Sequence, residues 1–170
     1  LKILMGQRRS KIKQRKGIKQ QMADLKDIVF NGSTRKLIKI NQKAIKELDR
    51  HIHEIETLIR AEIKSDPVLQ EQLKRIKTVP GIGDVTAWMI AIKTEGFQRL
   101  TDPRKLACFA GVVPFEQQSG TSLKTRPRVS KMADMALKSV LQMAAMRAVR
   151  MQNDLQVYYL RKVEEGKNKM

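Results

Sequence analysis

Cysteine, aromatic residues and long apolar runs are scarce in this sequence of 170 residues, and each scarcity excludes a class of protein. The single cysteine, Cys108, cannot form a disulfide within the chain, which suits a reducing cytosol. Aromatic residues make up 4% of the chain, too few for a binding surface built mainly on base stacking. No apolar run approaches the roughly 18 residues of a transmembrane helix, and the basic amino terminus lacks a signal-peptide pattern. We therefore predict a cytoplasmic protein with no membrane partner.

Negative charge is also in short supply. The chain has 35 Lys and Arg residues against 17 Asp and Glu, which gives a net charge of +18 and a pI near 10.3. A protein this basic binds polyanions through long-range electrostatic attraction. Nucleic acid is the favoured partner, and an anionic membrane surface is the other candidate.

The residues of a self-contained catalytic or metal site are not grouped in the sequence. The two histidines, His51 and His53, are two positions apart on a predicted helix and would point about 200° apart, so they cannot share one metal ion. We predict that both lie on the helix surface. The acids of the C-terminal half are scattered and form no recognisable cluster; they are Asp84, Glu95, Asp102, Glu116 and Asp134. The sequence thus argues against a hydrolase that works without a partner domain or subunit.

The first 64 residues are predicted to form a basic helix and a coiled-coil arm. Residues 1 to about 30 form the basic helix, and the segment Asn31–Thr34 is predicted to be a turn. In residues 35–64 isoleucine recurs every seven positions, at Ile38, Ile45, Ile52 and Ile59. This spacing indicates a coiled coil, whose partner is either the first helix or a second copy of the chain. We therefore expect a homo-oligomer, a dimer or a tetramer.

Residues 65–170 are predicted to form a small helical domain, because the segment repeatedly shows helix-start signals. Asp66-Pro67 and Asp102-Pro103 combine an N-cap residue with proline at the first helical position. Ser130 and Asn153 are predicted to cap two further helices. No stretch predicts a strand, so the expected fold class is all-α.

A helix-hairpin-helix is predicted around Val79–Asp84. Two short helices flank a Pro-Gly-Ile-Gly turn that contains Gly81 and Gly83. Glycines allow a tight turn and expose N–H groups at the start of the second helix, where a DNA phosphate can bind without sequence readout. The alternative is a plain corner between two helices, with Trp88 in the core.

A serine followed by cations marks the segment 106–128, LACFAGVVPFEQQSGTSLKTRPR. Ser119 precedes Gly120, beside which another backbone can approach closely. Lys124, Arg126, Arg128 and Lys131 follow, and cations of this kind hold DNA phosphates. The pattern is what phosphoryl transfer on a polyanion requires. The alternative is a surface loop rich in serine and glycine.

Three sequence blocks occur in a characteristic order: VPGIGDVTAWMIAI, then RKLACFAGVVPFEQQSG, then VSKMADMALKSVLQMAAMRAV. Together they resemble the C-terminal domain of DEDD-type insertion-sequence transposases, which are related to Piv-type DNA invertases. The resemblance covers residues 73–150. It differs from the family pattern at Ala133-Asp134, where the family often has Gly-Asn, and at Lys138, where it often has arginine.

The resemblance implies a serine nucleophile that forms a phosphoserine–DNA intermediate. The family's serine falls on Ser119, with Ser122 as the second choice. It also implies an N-terminal resolvase-like domain that holds Mg²⁺ with four carboxylates and lies outside these 170 residues. The chain would then be a catalytically incomplete part of a transposase, associated with the bacterial nucleoid. Its partners would be DNA and, as in some members of the family, a guide RNA from the element.

Two other classes of function remain open. One is a non-catalytic DNA-binding module built on the predicted hairpin of Gly81 and Gly83. The other is an assembly module in which the coiled-coil arm holds copies of the chain together.

Overall fold

The computed structural model describes residues 1–25, 32–98, 100–119 and 123–168, with only the backbone described for 117–119 and 123–126. The chain divides into two compact units, Leu1–Pro67 and Val68–Met170. Each unit is described by itself below.

The first unit is a helical hairpin. Helix α1 spans Lys2–Asp24 and helix α2 spans Gly32–Ser65. The two helices are antiparallel, because Arg8 near the start of α1 pairs with Glu56 near the end of α2 at 2.8 Å. Helix α2 begins at Gly32, so the predicted turn at Asn31–Thr34 is wrong for its last three residues; Asn31 lies outside the described residues. Ser33 and Thr34 have only modest helix propensity, but the long heptad pattern that follows them extends the helix across both residues.

The heptad isoleucines of α2 lie on the less exposed side of the helix. Ile52 and Ile59 are buried, with 7% and 0% of their surface exposed, and Ile38 and Ile45 are half-buried. His53 is exposed, in agreement with its predicted place on the helix surface. His51, in contrast, is half-buried in a shallow groove that residues of α1 also line, so the prediction is wrong for this histidine.

The second unit is built from short helices joined by tight turns. Their bounds are α3 Pro67–Lys77, which begins at the unit boundary, α4 Asp84–Lys93, α5 Pro103–Phe109, α6 Met135–Ala148 and α7 Asp154–Glu164. Helices α4 and α6 pack together. The buried side chains of this unit include Trp88 and Ile90 on α4 and Leu137 and Ala148 on α6.

The predicted all-α fold class is confirmed, since helices dominate the described residues. The prediction that no strand occurs is wrong in one place, because β1, Phe115–Ser119, and β2, Leu123–Arg128, form an antiparallel hairpin. Both strands lie within the segment 106–128 that contains the candidate serine. Its strands are polar and lack the alternation of apolar and polar residues that identifies a strand from sequence.

Local capping chemistry sets most of the helix starts in the second unit. The side chain of Asp102 accepts a hydrogen bond from the N–H of Arg104, and Asn153 accepts from Leu155 and Gln156. Ser130 does not cap α6 as predicted. Its hydroxyl accepts from the N–H of Met132 in a preceding turn, and Asp134 is the N-cap of α6. Aspartate is among the strongest N-cap residues, and here it is placed directly before the helix.

Within the described residues, no helix combines the length and apolar character needed to cross a membrane.

Candidate nucleic-acid interface

Ser119 is the last residue of β1, next to the tip of the hairpin. Its backbone pairs with Leu123, and Gln118 pairs with Lys124. The tip residues, which include Gly120 and Ser122, lie outside the described residues. The structure therefore gives the serine's position on the strand, at the point where the chain reverses direction. Binding and catalytic groups are often found where connecting segments join the strands and helices of a fold.

The predicted phosphate-binding cations follow Ser119 along β2. Lys124 and Arg126 lie within the strand, and Arg128 is its last residue, paired with Phe115 of β1. The side chains of Arg128 and Lys131 are both exposed. The hairpin thus connects the serine at its tip with two exposed cations at its base.

The base of the hairpin is fixed by a close contact at Gly111. This residue has φ +66°, a left-handed conformation that favours glycine, and a Cβ added here would lie 2.8 Å from the Cβ of Ala133. The N–H of Asp134 also donates a hydrogen bond to the carbonyl of Phe109 at 2.8 Å. These contacts join the end of α5 to the segment before α6, and so hold the two ends of the hairpin near each other.

A cleft of about 720 Å³ lies at this base. It is lined by the end of α5, the first residue of β1, the last residue of β2 and the turn before α6; the residues are Cys108, Phe109, Phe115, Arg128, Val129, Ser130, Lys131, Met132 and Ala133. Two aromatic rings and two cations therefore face one space. Among the described residues that line it there is no carboxylate.

Asp134 forms an ion pair with Lys93 of α4, a contact that was not predicted from the sequence. The distance from Lys93 Nζ to Asp134 Oδ2 is 2.6 Å, and the other carboxylate oxygen accepts from the N–H of Leu137 at 2.9 Å. Burial by itself would raise the pKa of Asp134, but the Lys93 hydrogen bond, the helix N–H groups and the Lys93 charge together lower the pKa below its ordinary value of 3.8. The ion pair fastens the start of α6 to α4.

The two glycines of the predicted helix-hairpin-helix have different surroundings. Gly81 has φ +86°, and a Cβ here would lie 2.3 Å from the carbonyl oxygen of Ala144 in α6. Its lack of a side chain is thus explained by packing inside the unit. Gly83 is exposed at the N-cap of α4, with no atom within 4 Å of an added Cβ. Asp84, the next residue, pairs with Lys77 at 2.7 Å. Only Gly83 leaves the start of α4 open to an external phosphate.

No group of three or more His, Cys, Asp or Glu side chains that could hold a metal ion occurs in the described part of the chain. Several carboxylates of this part, the ordinary donors for Mg²⁺, are instead paired with cations, either within one helix or between helices.

Residues 73–160 match the model of the transposase IS116/IS110/IS902 family. The chain belongs to this family. Because the matched region includes α4, the whole β1–β2 hairpin and α6, it covers the elements on which the candidate site is built. Membership gives this transposase chain a role in DNA transposition, with DNA as its partner. No curated protein matches the chain.

The structure brings only some of the predicted residues together. Arg128 and Lys131 line the cleft, and Ser119, Lys124 and Arg126 lie on the same hairpin. Gly81 and Gly83 lie in the α3–α4 turn, a separate part of the unit. Sequence reasoning missed the aromatic pair Phe109 and Phe115. The signal that could have found Phe115 is its place between Pro114 and a polar run, where an apolar ring has no core to enter.

Proposed function

We propose that this transposase chain supplies the nucleophile for DNA strand exchange and that the nucleophile is Ser119. The observation that carries the proposal is the family match over a region that includes the hairpin. The position of Ser119 at the end of β1, followed by Gly120 and by the cations of β2, supports it further. A serine at the end of a strand, next to the connecting residues, is placed where a DNA backbone could approach it.

The proposed reaction conserves the phosphodiester bond energy. The Ser119 hydroxyl loses its proton and its oxygen forms a bond to a DNA phosphorus, while a bond from that phosphorus to a deoxyribose oxygen breaks and the leaving oxygen takes up a proton. The reverse reaction, with the oxygen of a different strand, joins that strand and frees the serine. Because the number of phosphoester bonds does not change, the exchange needs no ATP.

Four cations are proposed to hold phosphates of the attacked strand: Lys124 and Arg126 close to the attacked phosphate, and Arg128 and Lys131 further along the strand. Cations placed next to a phosphoryl group offset the charge that develops in the transition state. A serine hydroxyl is a weak nucleophile at neutral pH, so an activating base is needed from elsewhere in the complete assembly.

We further propose that Mg²⁺ acts with this chain and is held by an N-terminal resolvase-like domain with four carboxylates, as the DEDD-type resemblance implies. The described residues of this chain offer no cluster that fits the ion. Bound magnesium would neutralise phosphoryl charge. A guide RNA from the element remains a second proposed polyanionic partner.

The decisive experiment is trapping of a covalent adduct. The complete transposase with Mg²⁺ and its DNA substrate should yield a protein–DNA adduct, and the 170-residue chain alone should yield none. Ser119→Ala should abolish the adduct and leave helix content and DNA affinity unchanged. Ser122→Ala is the matched control and should leave the adduct in place. Peptide mapping that places the DNA on Ser122, or normal recombination by the Ser119→Ala protein, would show that Ser119 is not the nucleophile.

A contribution of the helix-hairpin-helix to DNA binding is favoured by the open surroundings of Gly83. Binding of the chain to duplex DNA should weaken steeply between about 50 and 200 mM salt, because each phosphate contact releases a counterion. Gly83→Leu should lower the affinity by a few-fold at constant salt and leave Trp88 fluorescence unchanged. Gly81→Leu is not a clean test, because a side chain at that position meets the backbone of α6. An unchanged affinity for Gly83→Leu would remove the α3–α4 turn from the interface.

Assembly through the coiled-coil arm is proposed as well. The outer side of α2 exposes three large apolar residues, Leu37, Ile40 and Leu58, with 44%, 61% and 54% of their surface accessible. With about 100° of rotation per residue they lie within roughly 60° of one another around the helix. Leu37→Lys combined with Ile40→Lys should therefore lower the mass measured by analytical ultracentrifugation and keep the helical hairpin folded. A wild-type chain that stays monomeric at high concentration would contradict the proposal.

A further inference from the structure

The cleft at the base of the hairpin has the dimensions of a small-molecule site. Its volume of about 720 Å³ falls within the range of roughly 300–1,000 Å³ that ligand pockets occupy. It is formed by residues that are distant in sequence, from Cys108 to Ala133, and it is held in place by the Gly111 contact and the Asp134–Phe109 hydrogen bond. The cleft is thus a consequence of the fold of this unit.

The chemistry of the cleft separates into an aromatic part and a cationic part. Phe115 is 44% exposed, although a phenylalanine ring normally gains from burial. Arg128 pairs with Phe115 across the two strands, and Lys131 is three residues further along the chain. An aromatic face beside two positive charges, with no carboxylate among the lining residues that the structure describes, complements a ligand that has a flat ring and a phosphate.

We infer that this cleft holds one unpaired nucleotide of the DNA strand, with its base stacked on Phe115 and its phosphate bound by Arg128 and Lys131. The inference rests on the proposed function, since it assigns the strand that Ser119 attacks to a position on the same hairpin. A base inside a duplex is stacked on both faces, so only a base that has left the duplex can use the ring. Base stacking on an aromatic side chain does not depend on which base is present.

The distance between the cleft and the serine suits this arrangement. Phe115 and Ser119 are the two ends of β1, four residues apart. At roughly 3.3 Å per residue the strand places them about 13 Å apart. A DNA strand that follows β1 would cover this length in about four nucleotides at ~3.4 Å each. The unpaired nucleotide is therefore expected a few positions from the attacked phosphate, where strand exchange requires the duplex to open.

The test uses two DNA duplexes of the same sequence, one fully paired and one with a single unpaired nucleotide in one strand. Binding of the 170-residue chain is measured by fluorescence polarisation at constant salt. The chain should bind the duplex with the unpaired nucleotide about fivefold or more tightly, the smallest advantage expected from one stacked base. Phe115→Ala should remove that advantage. Tyr158→Ala is the matched control, because Tyr158 is an aromatic residue of α7 that is 54% exposed and does not line the cleft.

Each outcome has a defined meaning. An advantage that persists in Phe115→Ala, or equal affinity of the wild-type chain for both duplexes, overturns the inference and leaves the proposed function standing. If the chain binds neither duplex at low salt, the proposed DNA interface itself fails. A third probe, an RNA hairpin with one unpaired nucleotide in its stem, identifies the source. If Phe115→Ala lowers the affinity for the RNA probe but not for the DNA with the unpaired nucleotide, the assignment of the cleft to DNA is overturned.

Discussion

The two units of this transposase chain are specified by different kinds of interaction. In the first unit the three glycines, Gly6, Gly17 and Gly32, have no atom within 4 Å of an added Cβ. In the second unit Gly81, Gly96 and Gly111 have positive φ, and an added Cβ would lie 2.9 Å or less from another atom. The arm depends on a repeated side-chain period, whereas the C-terminal unit depends on backbone geometry at a few turns. The unit that contains the candidate site therefore tolerates less change.

The largest expected effect comes from adding one methyl group to a glycine in each unit. Gly81→Ala should destabilise the second unit by at least about 3 kcal/mol, because a left-handed conformation and a clash with α6 are both imposed on alanine. Gly17→Ala should stabilise α1 by about 0.5–1 kcal/mol, because alanine is the better helix former. Urea denaturation followed by Trp88 fluorescence reports on the second unit, since Trp88 is the only tryptophan and is buried there. Circular dichroism reports on both units.

Equal effects of the two substitutions on stability would show that the two units do not differ in their tolerance of an added methyl group. A mild effect of Gly81→Ala would mean that α6 shifts to accommodate the methyl group. Packing against α6 would then no longer explain the glycine, and DNA binding would remain as its explanation.

The arm can be tested through the charged residues in its helix contact. Arg8 and Glu56 pair at 2.8 Å, and their side chains are only 16% and 19% exposed. Arg8→Met should cost about 1–2 kcal/mol, because a largely buried carboxylate loses its closest partner. Arg8→Met combined with Glu56→Met should recover most of that loss, since two apolar side chains replace a desolvated pair. The measurement is thermal unfolding followed by circular dichroism.

The control is an exposed pair on α3. Arg75 and Glu71 are 79% and 54% exposed, so Arg75→Met should change stability by less than about 0.5 kcal/mol. A double variant of Arg8 and Glu56 that is less stable than both single variants would show that the pair is a net contributor to the arm.

The sequence predicted the elements that depend on local chemistry. Asp102 and Asn153 cap helices as expected, because an N-cap needs only a side chain and the next few N–H groups. The heptad isoleucines also identified the helix contact. The sequence did not indicate that two cations of the basic helix, Arg8 and Arg15, pair with Glu56 and Asp49 of α2. Pairing between residues distant in sequence cannot be read from one helix alone.

The candidate site was predicted only in part for the same reason. The serine and its following cations are adjacent in sequence, so the sequence could predict them as one group, and their role stays a prediction. The hairpin was missed because most residues of its strands are polar and because β2 includes Pro127, which normally argues against a strand. Asp134 was one of several scattered acids, and its partner Lys93 lies on another helix. Phe109 and Phe115 meet in one cleft only after the hairpin has formed.

The smallest expected effect concerns the ion pair that fastens α6 to α4. Asp134→Asn keeps an oxygen for the helix cap and removes the charge that Lys93 binds. The substitution should therefore cost about 0.5–1 kcal/mol at pH 7, a small value because Lys93 is 39% exposed.

The pKa of Asp134 is lowered in the folded chain, so its contribution to stability is complete above about pH 4, near the pKa of the unfolded carboxyl. It is lost as the pH falls through the lower folded pKa. The difference between the wild-type chain and Asp134→Asn, measured by urea denaturation with Trp88 fluorescence, should therefore shrink as the pH is lowered from 5 towards 2. Lys93→Met should reproduce the loss at pH 7. A difference that grows on acidification would mean that the carboxylate is destabilised in the folded unit, and the fastening role of the pair would be wrong.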